Sequence, residues 1–376
     1  MGNPERQHFI PRSYLNNFSE KTNGKFFIHA TDLSEGNINR LSTKDICVSK
    51  NLYTLPDNNE DKFALEYFYA EKIDSVFPEV YNFLKDKDNY FINEEMRFKI
   101  ITTSLSLYFR TPKFLNFHNN LFENIIKRTF NKTSKDSITI IYAGEEMTIN
   151  REEIEDIIKE KKENNHIKFL KSHLINYQEL VHAKMSDNIA VYHITDESEF
   201  ITSDNPVIIR KYANPFEPDF DEGKYYSEPI NPFDTKNMIH LPIDNKTILS
   251  IMPNSVGEKS SFIQRMKIGL YDTIIYNNDI EANMERWILG TKSGVQSHFS
   301  NKKQFSDTNT PSNLHIYESY KEKTKVLYKL VETMKSSGLK SQNTKELLIK
   351  LLENSSVKSD INLFIYLQRL KETIEK

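Results

Sequence analysis

Ile189-Ala-Val-Tyr-His-Ile194 and Phe200-Ile-Thr-Ser-Asp-Asn-Pro-Val-Ile-Ile209 are the stretches on which the fold turns. Both are short apolar runs, rich in β-branched and aromatic residues and punctuated by turn formers, which is the pattern of strands. Residues 238–242 and 247–252 repeat it. With a helix expected from about Asp279 to Leu289, these segments predict a sheet-bearing core that draws distant parts of the chain together.

Outward from that core the apolar spacing is mostly helical. Phe63, Tyr67, Ala70, Ile73 and Phe77 mark one helix, which Pro78 kinks or ends. Asn93, followed by Glu94 and Glu95, caps a second helix that runs to about Arg110. Thr111-Pro112 then breaks the chain before the stripe Phe114, Phe117, Leu121 and Ile125. Residues 137–148 alternate as a hairpin, and Asn150 with Glu153 has capping-box spacing before another helix. From His166 to Met185, Leu170, His173, Leu174, Tyr177, Leu180 and Val181 share one helical face. At the N-terminus Pro11 opens a short helix with Tyr14, Leu15 and Phe18 on one side, residues 24–33 read as a strand, and residues 46–55 as a second short strand or a loop. Residues 214–233 are a Pro- and Asp-rich surface loop. The expected fold is therefore α+β: a predominantly helical single large domain over residues 1–300 with a small mixed or antiparallel sheet core. A linker at 301–315 and a C-terminal helical appendage at 316–376 follow.

The 376 residues include 24 Phe and 19 Tyr, enough ring surface to build a core. A net charge of −3 from 50 basic and 53 acidic side chains argues against a chain that is basic all over, and leaves room for a local basic groove. Cys47 is the only cysteine, so no intrachain disulfide and no cysteine-based zinc cluster can form, which predicts a cytoplasmic protein. No apolar stretch approaches the length of a membrane span, so no membrane partner is expected.

His8-x-x-Pro11-Arg12-x-Tyr14-Leu15-x-x-Phe18, the segment Phe200-Ile-Thr-Ser-Asp204-Asn-Pro206-Val, and the later Leu241-Pro242 and Asn278 carry a resemblance. Together they resemble the landmarks of the bacterial domain-of-unknown-function family 4238 over roughly residues 5–300. The resemblance implies an accessory-genome protein, in some members associated with phage defence. It implies no catalytic mechanism.

Among these residues, His8 exchanges a proton near neutral pH and Arg12 is a permanent cation suited to two phosphate oxygens. A helix opened by Pro11 would aim its first amides at the same space. The bland alternative is that both tie the segment to a buried carboxylate. Asp204, at a strand-to-turn junction, reads as orienting His8, pairing Arg12 or holding a metal, or else as an Asx-turn. His8, Arg12 and Asp204 are the candidate catalytic set. Tyr14, Arg110, Asn205 and Asn278 are the candidate substrate-binding residues, with packing and capping as their plain readings. Arg110 with His118 only loosely matches a metal-free ribonuclease pair, and Glu222-Gly-Lys224 lies in a polar loop ill suited to nuclease chemistry. His166, His173 and His182 lack zinc-ligand spacing, and no phosphate loop, kinase signature or dinucleotide fingerprint occurs, so neither metal nor cofactor is expected.

The leading expectation is an anti-phage or toxin-like effector acting on RNA or another phosphodiester or nucleotide. His8 would be its acid or base, and Arg12, with Arg110, would stabilise phosphate charge. The alternative is a non-catalytic sensor of a nucleotide or phage component. In either case, the C-terminal helices would mediate homo-oligomerisation.

Overall fold

The computed structural model describes residues 5–32, 36–55, 61–142, 145–172, 176–211, 233–254, 260–307, 329–353, 367–368, 370–372 and 374–375. The fold is α+β, and the chain separates into two compact units, 1–298 and 299–376.

In the first unit, strand β8 (Asn188–Ile194) sits inside a five-stranded sheet of order β10-β11-β12-β8-β13. Its neighbours are β10 (Ile208–Arg210), β11 (Met238–Asp244), β12 (Thr247–Met252) and β13 (Ile263–Ile268). Only the β8–β13 pair is parallel. Nearly every residue of β11 and β12 is buried, which is why they read as continuous apolar runs with weak alternation. A second sheet has the order β2-β3-β14-β9, with β4 also paired to β3. It is built from β2 (Glu20–Thr22), β3 (Lys25–Asp32), β4 (Ile38–Ser42), β9 (Thr202–Ser203) and β14 (Trp287–Gly290). A ribbon of β1 (Arg6–His8) with β5 (Val48–Lys50) and the hairpin β6 (Ser137–Tyr142) with β7 (Glu145–Asn150) complete the strands of the described residues.

Two five-stranded sheets thus replace the single small sheet expected. The strands that escaped notice, β1, β2, β4 and β13, are short and wholly or partly exposed, so they lack an apolar signature. The helix expected at 279–289 is also displaced. Helix α8 spans Leu270–Asn283, and Trp287–Gly290 is a strand held between β3 and β9. Asp196 accepts the Leu270 amide at 2.8 Å at the start of that helix.

The remaining helices follow the sequence in outline. They are α1 (Arg12–Leu15), α2 (Ala64–Phe68), α3 (Phe77–Lys85), α4 (Glu94–Phe109), α5 (Pro112–Asn131), α6 (Ile154–Ser172), α7 (Asn176–Lys184) and α9 (Lys292–Asp307). The exception is α6, which runs through the boundary expected at residues 165–166, so the single helix expected from His166 to Met185 is shared between α6 and α7. Asn93 caps α4 by accepting the Met96 amide at 2.8 Å, and Thr111 caps α5, with Pro112 in its first turn. Between α2 and α3 a π-helix, Tyr69–Asp74, shifts the inward face. Leu65, Tyr69, Ile73 and Phe77 are buried, whereas Tyr67 is 44% exposed, so the predicted stripe is displaced by two residues at its start. Asn150 donates to the Glu153 carboxylate at 2.8 Å and makes no side-chain cap. The loop expected at 214–232 lies outside the described residues. In the second unit residues 329–337 and Gln342–Glu353 are helical, with Leu330, Leu348, Leu351, Leu352, Leu367 and Ile374 in one apolar cluster.

The N-terminal segment is fastened by its apolar face. Ile10, Tyr14, Leu15 and Phe18 are fully buried. The Tyr14 ring lies edge-on to Phe77 at 5.5 Å, and its hydroxyl donates to the Pro242 carbonyl at 2.8 Å and bonds Thr202 Oγ1 at 2.7 Å. Tyr14→Phe leaves two buried oxygens with one partner fewer. It is expected to lower the unfolding free energy by about 1–3 kcal/mol, read from urea denaturation of variant and wild type.

Candidate functional site

Most residues singled out from sequence turn out to hold the fold. Asp204 follows β9, and its two carboxylate oxygens accept the backbone amides of Glu285 (2.9 Å), Arg286 (2.8 Å) and Trp287 (3.1 Å). These amides form the turn from α8 into β14, and the Asp204 amide returns a bond to the Trp287 carbonyl at 3.2 Å. Burial pushes the Asp204 carboxyl up, and the three amides oppose that shift. Asp204 therefore clamps the turn and does not orient His8: neither its bonds nor the charges acting on His8 join the two.

Asn205 belongs to the same clamp. Its side chain donates to the Asn283 carbonyl at 2.9 Å and accepts from Thr111 Oγ1 at 3.3 Å, while Asn283 donates to the Asn205 and Val207 carbonyls. Among the described residues Asn278 makes no side-chain hydrogen bond. Its neighbour Asn277 does the work expected of it, accepting the Ile201 amide at 3.0 Å and donating to the Glu199 carbonyl at 2.9 Å. The helical register decides this, since Asn277 is buried and Asn278 is only half-buried. His118 and His173 have side chains outside the described residues, and Glu222 and Lys224 lie wholly outside them.

Arg110, the residue closing α4, is 1% exposed and is the centre of a polar hub. It donates to Asp74 Oδ1 at 2.6 Å and Oδ2 at 3.3 Å, and to the His8 carbonyl at 2.5 Å. Its guanidinium lies 4.3 Å from the Tyr69 ring centre, and the Tyr53 hydroxyl donates to its carbonyl. Burial alone would weaken its hold on the proton, but Asp74 and the neighbouring tyrosines outweigh it and raise its pKa. Asp74 closes the π-helix, so the extra residue in that turn helps set where this carboxylate meets Arg110. Arg110 is thus a structural cation, bound on two sides, and not a helix-end arginine satisfying its own helix carbonyls.

Glu66, on α2, belongs to the same hub and was invisible in the sequence. Burial raises its carboxyl most, Arg110 pulls it down and Asp74 pushes it up, and together they bring it to about 7. One cation faces two carboxylates, and Asp74 has the direct bonds. Among the described residues, Glu66 Oε2, Arg110 Nε and His8 Nε2 are enclosed atoms without a hydrogen-bond partner. Native interiors rarely leave such atoms unpaired, and three in one electrostatic neighbourhood point to a functional site.

His8 ends β1, hydrogen-bonds to the Thr43 backbone, and has its pKa lowered by burial, then by Arg12, Arg110 and Arg6. It is a neutral imidazole at neutral pH. Arg12 is exposed, and among the described residues its guanidinium makes no hydrogen bond or ion pair. Helix α1 is only four residues long, so the anion-binding helix end expected there has little dipole to offer. Cys47 and Asn51, at φ 56° and 55°, flank β5, the strand that pairs with β1, so this ribbon carries backbone strain on its partner side.

No group of three or more His, Cys, Asp or Glu among the described residues could hold a metal ion. No described helix is long and apolar enough to cross a membrane. An α+β chain with a buried arginine hub beside an exposed arginine and a neutral histidine is the class these features define. The chain belongs to the family described as Protein of unknown function (DUF4238), which matches residues 6–294. Comparison with curated proteins and with solved structures finds no match.

Asp204→Asn places an amide group against backbone N–H donors. It is expected to cost about 3 kcal/mol of stability while leaving the His8 titration midpoint in place, as measured by denaturation and by histidine NMR.

Proposed function

We propose that this chain is a cytoplasmic effector of phage defence or toxin type. It acts on RNA or another phosphodiester or nucleotide at the corner formed by His8 and Arg12. The observation that supports this reading is the pairing of a neutral imidazole, whose Nε2 no described residue engages, with an exposed arginine that has no partner among the described residues. A neutral imidazole accepts a proton from an attacking hydroxyl, and an uncommitted guanidinium offers two parallel donors to phosphate oxygens. Because Nε2 is enclosed, substrate binding draws Arg12 onto the phosphate and opens the ring edge beneath it. Arg110 acts at one remove, by holding the His8 backbone and adding positive potential. Tyr14 anchors the segment that carries the corner, and Asp204 and Asn205 hold the turn between α8 and β14.

A sensor that binds a nucleotide or phage component without turnover is the second reading. It is favoured by the loss of Asp204 as a catalytic partner, since that carboxylate is fully engaged by amides. Homo-oligomerisation through the C-terminal helices fits either reading.

In cells expressing the wild-type chain, total RNA is expected to shorten. His8→Ala is expected to slow that by about 10²- to 10⁴-fold with an unchanged circular dichroism spectrum. A nucleotide that co-purifies while RNA stays intact selects the sensor. Equal RNA loss with His8→Ala removes His8 from the chemistry.

A further inference from the structure

The hub that carries His8 holds one fixed cation, Arg110, and two carboxylates, Asp74 and Glu66. Asp74 takes two of the three guanidinium bonds and the His8 carbonyl the third, whereas Glu66 feels Arg110 only through space and leaves Oε2 enclosed and unbonded. Two half-buried carboxylates set against one fully buried arginine compete for a single cation, and the one without a direct bond to it holds a proton more readily. The bonding pattern assigns that proton to Glu66. Arg110 in turn reaches the substrate corner directly, through its 2.5 Å bond to the His8 carbonyl.

We propose that Glu66 is a positioning residue of the His8–Arg12 site: protonated, it leaves Arg110 to Asp74 and the His8 carbonyl, and ionised, it competes for Arg110 and loosens β1. The inference rests on the reading of that corner as a phosphodiester site. The groups acting on Glu66 are Arg110 from the end of α4 and Asp74 from the π-helix, and Tyr53, whose hydroxyl is bonded to the Arg110 carbonyl, senses the Glu66 charge. Tyr69 and Tyr177 lie in the same field of Arg110 and, with hydroxyl pKa values raised by burial, stay neutral across the working range. The step is a proton exchanged between the Glu66 carboxyl and solvent, with no other bond made or broken.

The sign follows from linkage. The folded state holds this proton more tightly than the unfolded chain does. Its contribution is fully present below about 4.5 and is lost as pH rises through about 7. Two arms on the full chain test the proposal. In denaturant unfolding, the folding equilibrium constant of wild type relative to Glu66→Gln is expected to fall by up to about tenfold per pH unit across that window. In calorimetry with the dinucleotide UpU, wild-type affinity is expected to weaken roughly tenfold from about pH 6 to about pH 8, whereas Glu66→Gln binds alike at both. A flat unfolding ratio, or a Glu66→Gln variant that keeps the wild-type pH dependence of UpU binding, overturns the proposal. UpU that fails to bind at any pH, together with the expected unfolding ratio, overturns the reading of the corner and leaves Glu66 as the proton-holding partner of Arg110.

Discussion

The Tyr14 hydroxyl is the point on which the architecture depends. It is fully buried, and its two partners, Thr202 Oγ1 and the Pro242 carbonyl, come from parts of the chain 188 and 228 residues away. Each of the three belongs to a sequence landmark, so the landmarks are one junction seen from three directions. An unpaired phenol or carbonyl there would cost more than an ordinary hydrogen bond gains, so the three segments are specified together. The junction sets the N-terminal segment against the edge of one sheet through Thr202 in β9 and against the other through Pro242 in β11. Asp204 and Asn205, two and three residues beyond Thr202, then fix the turn between α8 and β14.

With the segment anchored on its apolar side, its polar side is left to Arg110. That residue ties the π-helix, the end of α4 and the β1 backbone into one charged knot. Burying a guanidinium is costly, and the bonds to Asp74 and the His8 carbonyl, together with the ring of Tyr69, offset that cost. Its Nε remains unbonded, as do Glu66 Oε2 and His8 Nε2. The division is clear: one face of the N-terminal segment is scaffold, and the other carries polar atoms held ready but unspent.

Much of this was legible in the sequence, and the reasons for the rest are physical. Capped helix starts, such as those of α4 and α5, were announced to within a residue or two, because capping chemistry is local. Strands such as β13 and β14 were missed or misread because a strand of four to six residues has no periodicity apart from the partners that bury it. The residue types of the site were also readable, but their roles were not. Asp204 looked like a catalytic carboxylate because it sits where strands end, and only the three amides facing it reveal a clamp. Glu66 had no signal at all, since its significance arises from Arg110 and Asp74, 44 and 8 residues further along. Asn278 and Asn277 differ by one helical position, and only the packed helix tells them apart.

The account's central claim is that His8 is a neutral imidazole with a nitrogen reserved for a phosphodiester ligand. Proton and nitrogen NMR of histidine-labelled protein, titrated with pH and then with UpU, tests it most directly. The account predicts a His8 midpoint below 6.5 in the free protein and a large shift of its Nε2 signal when UpU is added. A midpoint at or above the ordinary histidine value, or an Nε2 signal indifferent to saturating UpU, would contradict it.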